Sequence, residues 1–504
     1  MSISGIERSR TILFVKLGTH PELATLASRV EDLVPGLRIV GIGADDTTPR
    51  DVGEQVVHEK DVALGAYDQW WSRQLYVDPD LYLQIISKEG QLLRMAERVA
   101  RQDVFSIHQP KFPVAEFVHD VDGTTQLLLR QISFWDWIIR HHKIDGVIFQ
   151  NIPHNFWDAA LHAVVTARRV PSMCFHNVLP FITSVYIYED PNDMGNLRFG
   201  KSILNEANRR YGLVADSVNR QSVMWRRVST SEAKKGRLSG STAAVSVSSR
   251  AKSLVADPRI ALRKITRSVG RRRELKGTSA DYESVTSEHG LPQRFVFIEL
   301  QRAANMTTHV KGYMYADARE MIAHIAFSLP NDTQLVVRES SRTGSSRGPR
   351  RELFWTQIAA IPRVIVVSSN IDTNEILEKS LAIVELGYSS LALEAMNNNV
   401  PVVVLGLTHL HGAPNVHVVA ESSRLAEVLN GVCSSPSSRR GETESTTQAL
   451  RDWADIARSA TLEGRLSSFR DPNEADDETD IRLVGNTAAV IAAWCELRLH
   501  GKGR

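Results

Sequence analysis

Residues 380–412, SLAIVELGYSSLALEAMNNNVPVVVLGLTHLHG, constrain the fold of this chain more than any other stretch, because they run strand, glycine turn, helix and strand without a break. Ala382–Leu386 is a short apolar run, and Gly387-Tyr388-Ser389-Ser390 is a turn of small residues. A short helix follows through Leu391, Leu393, Ala395 and Met396. Asn397-Asn398-Asn399 ends it, since Asn tolerates the left-handed cap conformation. Residues 400–405 read as a buried strand that Gly406 breaks. A βαβ unit aims backbone N–H groups at the carboxyl edge of a sheet, where phosphate is favoured. Gly387, Ser389 and Ser390 are therefore candidate phosphate contacts, and Glu394 sits where a carboxylate reaches ribose hydroxyls. The alternative stays open that the turn binds nothing and that Glu394 is a solvated helical acid.

The rest of the chain alternates in the same way. Thr11–Leu17 (TILFVKL) is an apolar strand followed by Gly18-Thr19-His20-Pro21 and a helix, and Arg38–Gly43 is a second strand. His20 stands at the carboxyl end of the first strand, where open sheets bind ligands, and is either a ligand contact or a turn histidine with no ligand. Residues 60–142 are mainly helical, with Trp70, Trp71, Tyr76 and Tyr82 either in the core or on a sugar-stacking face. In Ile144–Pro180, strand, Pro-His turn, helix and strand succeed one another. His154 lies at the strand-to-helix junction and Asp158 one turn on, a spacing that allows an acid/base pair or a first-turn acid serving the helix dipole. His176-Asn177 is a second polar pair on the same rim.

At 504 residues the chain exceeds what one core serves, so two domains are expected. Residues 1–190 form the first and 291–504, with a helical tail, the second. Residues 191–290 form an insertion, partly helical or disordered, whose stretch 225–276 concentrates Arg and Lys. That stretch is either a solvated linker or a peripheral contact with an anionic membrane. The net charge of +2 argues against a nucleic-acid binder. Cys174, Cys433 and Cys495 lack metal-ligand spacing and point to a reducing compartment. With no membrane-length apolar run and no signal-peptide core, a cytoplasmic protein is expected, with peripheral association at the inner membrane face as the further option.

The order VRES (Val337–Ser340), IPRVIVV, DTNEILEKS and LGYSSLALEAMNNNVPVVVLG resembles the C-terminal half of the capsule polysaccharide biosynthesis glycosyltransferases, a family that includes Kdo transferases. FIELQRAANMTTHVKGY resembles the opening strand and Gln-containing loop of that half, and GVIFQNIPHNFWDAALHAVVTARRVPSMCF is similar to the Pro-His turn and helix of the N-terminal half. Where that family tends to show Lys-Glu-His-Pro, this chain has Arg338-Glu339-Ser340-Ser341.

The resemblance implies an α/β protein of two Rossmann-like domains facing a cleft, the GT-B arrangement, with the basic insertion between them. It implies transfer of a sugar from a nucleotide-sugar donor to a capsular or cell-surface polysaccharide or glycolipid. The donor would lie on the second domain, against Arg338, Glu339, Gly387, Ser389, Ser390, Glu394 and His409, and the acceptor on the first. His154, Asp158 and His20 are the acid/base candidates. No cofactor beyond the nucleotide-sugar co-substrate is expected. No metal is expected either, because a cation such as Arg338 stabilises the leaving phosphate and the DxD spacings Asp78-Pro79-Asp80 and Asp120-Val121-Asp122 fall in the helical region. Two other readings remain: a sugar-nucleotide epimerase of similar architecture, and a non-catalytic scaffold of a polysaccharide assembly complex.

Overall fold

The computed structural model describes residues 10–15, 21–43, 54–58, 78–88, 92, 121–153, 156–177, 184–191, 194, 196–213, 277–286, 290–300, 315, 317–340, 350, 353–387, 389–434, 448–453, 455, 461–463 and 477–499. In chain order the first half holds β1 (Arg10–Val15), α1 (Pro21–Leu33), β2 (Leu37–Gly43), β3 (Glu54–His58), α2 (Pro79–Lys88), α3 (Val121–His141), β4 (Ile144–Phe149), α4 (Phe156–Ala167), β5 (Ser172–Asn177), β6 (Ser184–Tyr188) and α5 (Arg198–Tyr211). The second half holds β7 (Phe295–Leu300), α6 (Ala318–Ser328), β8 (Gln334–Glu339), α7 (Phe354–Ala359), β9 (Val364–Val367), α8 (Thr373–Lys379), β10 (Ala382–Leu386), α9 (Ser390–Asn397), β11 (Val402–Leu405), β12 (Val416–Val419) and α10 (Leu425–Ser434). The chain closes with β13 (Thr461–Glu463) and α11 (Asp477–Leu499).

The strands make two sheets, in the orders β13-β6-β5-β4-β1-β2-β3 and β12-β11-β10-β7-β8-β9. The second is parallel throughout. The first is parallel from β5 to β3, with β6 and β13 added antiparallel at one edge. Helices on both faces bury parallel strands from both sides, so the strands read as near-continuous apolar runs. On the first sheet Leu13, Val147 and Phe149 point to a core shared with Trp135, Trp157 and Leu161. Their neighbours Ile12, Phe14 and Ile148 point to the opposite core, with Val30, Ile203, Ile491 and Trp494. The second sheet divides likewise, Val296 and Val384 facing Ile322, Trp355 and Leu429, and Phe297 and Ile383 facing Ile376, Leu391 and Met396. Two Rossmann-like α/β sheets, the class expected from the sequence, are what these strand orders define.

Local signals set many of the boundaries. Asp317, Asp372 and Ser389 each cap a helix by accepting first-turn N–H groups. α9 stops within the Asn triplet, and Asn399 has φ +55°. The C-terminal segment departs from expectation. The helical tail assigned to the second unit lies on the first: β13 pairs with β6, and α11 packs against α1 and α5. Glu496 of α11 accepts from Arg210 and, at 3.1 Å, from the Tyr211 hydroxyl. The crossing is made by residues 448–453, where Leu450 joins the second core and Trp453 packs against cores of both sheets. β3, β6, β12 and β13 are strands that the sequence reading did not resolve. The basic stretch 225–276 lies outside the described residues.

Candidate functional site

In an open α/β sheet, ligands bind beyond the carboxyl ends of the strands where the strand order reverses. In the second sheet that point falls between β7 and β10. The register Ile383↔Phe297 and Val384↔Ile298 carries on to place Glu385 beside Glu299. Glu299 is engaged by Arg338 of β8, whose Nε and Nη2 lie 3.1 and 2.7 Å from Oε1. The same guanidinium donates to the Ile371 carbonyl at 2.9 Å and to Thr373 Oγ1 at 3.0 Å, and it covers the Phe297 ring. Glu339 is gripped by Arg350 through two 3.1 Å bonds. Its backbone N–H donates to the Tyr282 hydroxyl, which itself donates to the Val367 carbonyl. The helix over 277–285 that carries Tyr282 therefore covers the ends of β8 and β9.

These contacts show what the charged tetrapeptide touches within the chain. Arg338 is 4% exposed, and both it and Glu339 have charged partners within the chain. Buried pairs of this kind hold strands in register and are costly to break. The Ser389 hydroxyl also faces inward: it accepts from the Leu391 and Ala392 amides and donates to Glu385 Oε1 at 2.6 Å. Burial pushes the Glu385 carboxyl up to about 8, the Glu299 charge adding to that and the Ser389 hydrogen bond opposing it. Gly387 and Gly406, at φ +79° and +84°, turn the chain sharply after β10 and β11. Glu394 lies half-buried in α9. The side chain of Ser390, at the first position of α9, lies outside the described residues.

In the first sheet the strand order reverses between β1 and β4. His20 and His154, expected on this rim, both lie outside the described residues. Asp158 is in the first turn of α4 and is 3% exposed. Its charge and that of Asp190 add to burial in raising the Cys174 thiol. Beyond β4, Asn151 Oδ1 accepts from the Ile152 amide at 2.8 Å and lies 3.3 Å from His176 Nδ1 on β5. In the first DxD segment Asp78 accepts from the Asp80 and Leu81 amides at the start of α2, and pairs with Arg168.

The two sheets meet at these ends. His409, in the loop after β11, is 2% exposed and brings its ring 6.3 Å from that of His176 and 5.4 Å from that of Tyr186 on β6. Leu407 from the same loop packs against the first sheet's core. Of the candidates singled out from sequence, then, His409 is brought against the first sheet, while Gly387 and Ser389 stand at the start of α9 and Glu394 lies in its second turn. Arg338 and Glu339 are at the end of β8, on the far side of β7, in ion pairs. His176 and Asn151 were missed as a pair, because 25 residues separate them and adjacency of β4 and β5 joins them.

No protein-family model and no curated protein matches this chain. Solved structures similar to it include a UDP-N-acetylglucosamine 2-epimerase from Rickettsia bellii, at 12% identity and TM-score 0.26, covering 90% of this chain and 95% of that one. Another is KpsC of Thermosulfurimonas dismutans, a β-Kdo 2,4 transferase, at 11% identity and TM-score 0.25, covering 57% of this chain and 79% of that one. A third is Anabaena HepE in complex with UDP and glucose, at 11% identity and TM-score 0.25, covering 89% and 99%. At these values the two-sheet architecture rests on the strand orders above.

Proposed function

We propose that this chain is a glycosyltransferase of the GT-B kind, moving a sugar from a nucleotide-sugar donor to a polysaccharide or glycolipid acceptor. The observation that carries the reading is that the carboxyl ends of two Rossmann-like sheets meet through side chains from both, His176 and Tyr186 from one and His409 from the other. Each sheet supplies one ligand edge, so a cleft of this kind holds two substrates against each other. The donor nucleotide lies on the second sheet, its phosphates at the start of α9 beside Gly387 and its ribose at Glu394. With Arg338 held by Glu299, charge on the leaving phosphate falls to the helix dipole of α9 and to His409. The resemblance of the VRES, DTNEILEKS and LGYSS segments to capsule polysaccharide glycosyltransferases supports a cell-surface glycan as acceptor. Among the described residues no helix is long and apolar enough to cross a membrane.

The test is a calorimetric titration of the purified chain with CMP, UDP, GDP and their sugar conjugates, read together with thermal stability. A ligand that binds only the folded state raises that stability. Selective binding of one nucleotide and its conjugate is the expected result. Sugar conversion without any acceptor would replace transfer by epimerisation, and the absence of binding to any of them would leave the scaffold reading.

A further inference from the structure

Asn151 and His176 form a unit whose proton arrangement can be worked out from geometry. β4 and β5 are adjacent and parallel, with Phe149 opposite Cys174, so two residues further on Asn151 comes beside His176. Asn151 Oδ1 accepts a hydrogen bond from the Ile152 amide at 2.8 Å, which identifies that atom as the carbonyl oxygen. His176 Nδ1 lies 3.3 Å from the same oxygen. A carbonyl oxygen has no proton to donate, so the bond requires the proton on Nδ1. The neutral ring therefore keeps its lone pair on Nε2. An imidazole in one tautomer, oriented by a neutral acceptor and 8% exposed, is a base set in a fixed direction. It stands where the two sheets meet, its ring 6.3 Å from that of His409. In the same cluster the Tyr186 hydroxyl is buried and has no hydrogen-bond partner among the described residues.

We infer that His176 is the general base of this cleft and Asn151 its positioning residue. The inference rests on the transfer reading and adds to it the proton acceptor for the attacking hydroxyl. As the acceptor oxygen bonds to the anomeric carbon of the donor, its proton passes to His176 Nε2. The bond from that carbon to the nucleotide phosphate oxygen breaks, its electron pair leaves on the phosphate, and the imidazolium then returns its proton to solvent. His409 and Tyr186 are neighbours of His176, the first by its ring and the second across the β5–β6 pair.

The experiment uses the full chain and the variants His176→Ala, His176→Gln, Asn151→Ala and Asn151→Asp. Binding of UDP-, GDP- and CMP-sugars is measured by calorimetry, and turnover as nucleotide release with water standing in for the acceptor hydroxyl. For His176→Ala the expected loss of turnover is about 10²–10⁴-fold, the range for a general base, with donor affinity held within about twofold. The fall of kcat/KM towards acid pH should vanish with it. Asn151→Ala should lower turnover less, and Asn151→Asp should shift the acid limb upward, because a carboxylate stabilises the imidazolium. Nitrogen-15 spectra of histidine-labelled protein read the tautomer without any substrate: His176 should carry its proton on Nδ1, and Asn151→Ala should release that preference. Wild-type turnover that survives His176→Ala and His176→Gln would overturn the catalytic role alone. A proton on Nε2 in the neutral wild-type ring would overturn the positioning role of Asn151. Failure of the wild type to bind any nucleotide sugar would overturn the transfer reading, and the base assignment with it.

Discussion

The indole of Trp494, in α11, lies over Gly146 of β4 so closely that a Cβ built on the glycine would stand 2.8 Å from Trp494 Cη2. The C-terminal helix thus fills the space that a side chain on the central part of the first sheet would need. Trp494 is fully buried there, beside Val490, Ile491 and Cys495.

Gly146→Ala should therefore destabilise the protein by about 1–3 kcal/mol, the usual cost of overpacking a tight core. The strain falls on a ring held on all sides. Thermal unfolding checks it, and Trp494→Leu in the same background should recover part of the loss. An unchanged melting temperature would show that α11 moves away at little cost.

Glu385 gives the stability a pH dependence of definite sign. Its carboxyl is raised from 4.5 to about 8 in the folded chain. Between those values the folded state holds a proton that the unfolded state has lost. Stability from this group is thus complete below about pH 4.5 and declines as pH rises towards 8. Glu385→Gln keeps the shape and removes the titration. The wild type should lose melting temperature relative to Glu385→Gln between pH 5 and pH 8.5, by about 2–4 °C for each kcal/mol involved. Parallel curves for the two proteins would refute the assignment.

Arg338 is expected to act through the fold. Removing it leaves Glu299 and the Ile371 carbonyl without the group that satisfies them. Arg338→Met should cost about 3–5 kcal/mol, as for one partner of a buried pair. The double variant Glu299→Gln with Arg338→Met should recover part of that. Denaturant unfolding measures both. A weaker affinity for nucleotide with unchanged stability would return Arg338 to the ligand.

In the donor site proposed above, Glu394 is the carboxylate that would hold ribose. Glu394→Ala should weaken binding of the donor nucleotide by about 1.5–3 kcal/mol, the contribution of hydrogen bonds to a charged group. The same change should move thermal stability little, since the side chain is half-buried on one turn of α9. Calorimetry of the variant against the nucleotide that the wild type selects decides it.

Much of the second sheet was legible because its signals are local. The run 380–412 carries its own strand, turn, cap and strand, and the observed β10, α9 and β11 fall inside it. The partners of Arg338 and Glu339 within the chain were not legible. A cation followed by an acid at a strand end reads the same whether it faces a phosphate or Glu299 and Arg350, and only the neighbouring strand and the loop at Arg350 decide between them. Ser389 is similar: its place before a helix marks it as a cap, but its bond to Glu385 depends on the turn bringing it back over the strand end.

The sequence by itself determined the alternation of strands and helices, the α/β class, the helix caps and the carboxyl-end positions at which polar residues collect. These follow from periodicity, turn chemistry and side-chain type within a few residues, which need no knowledge of what packs where. Tertiary structure alone decided that α11 crosses to the first sheet, that Asn151 orients His176, and that His409 meets that ring from the other sheet. Each of those joins residues far apart in the chain, through strand adjacency or the burial of an apolar helix face, and no local pattern records which distant partner a buried group will find.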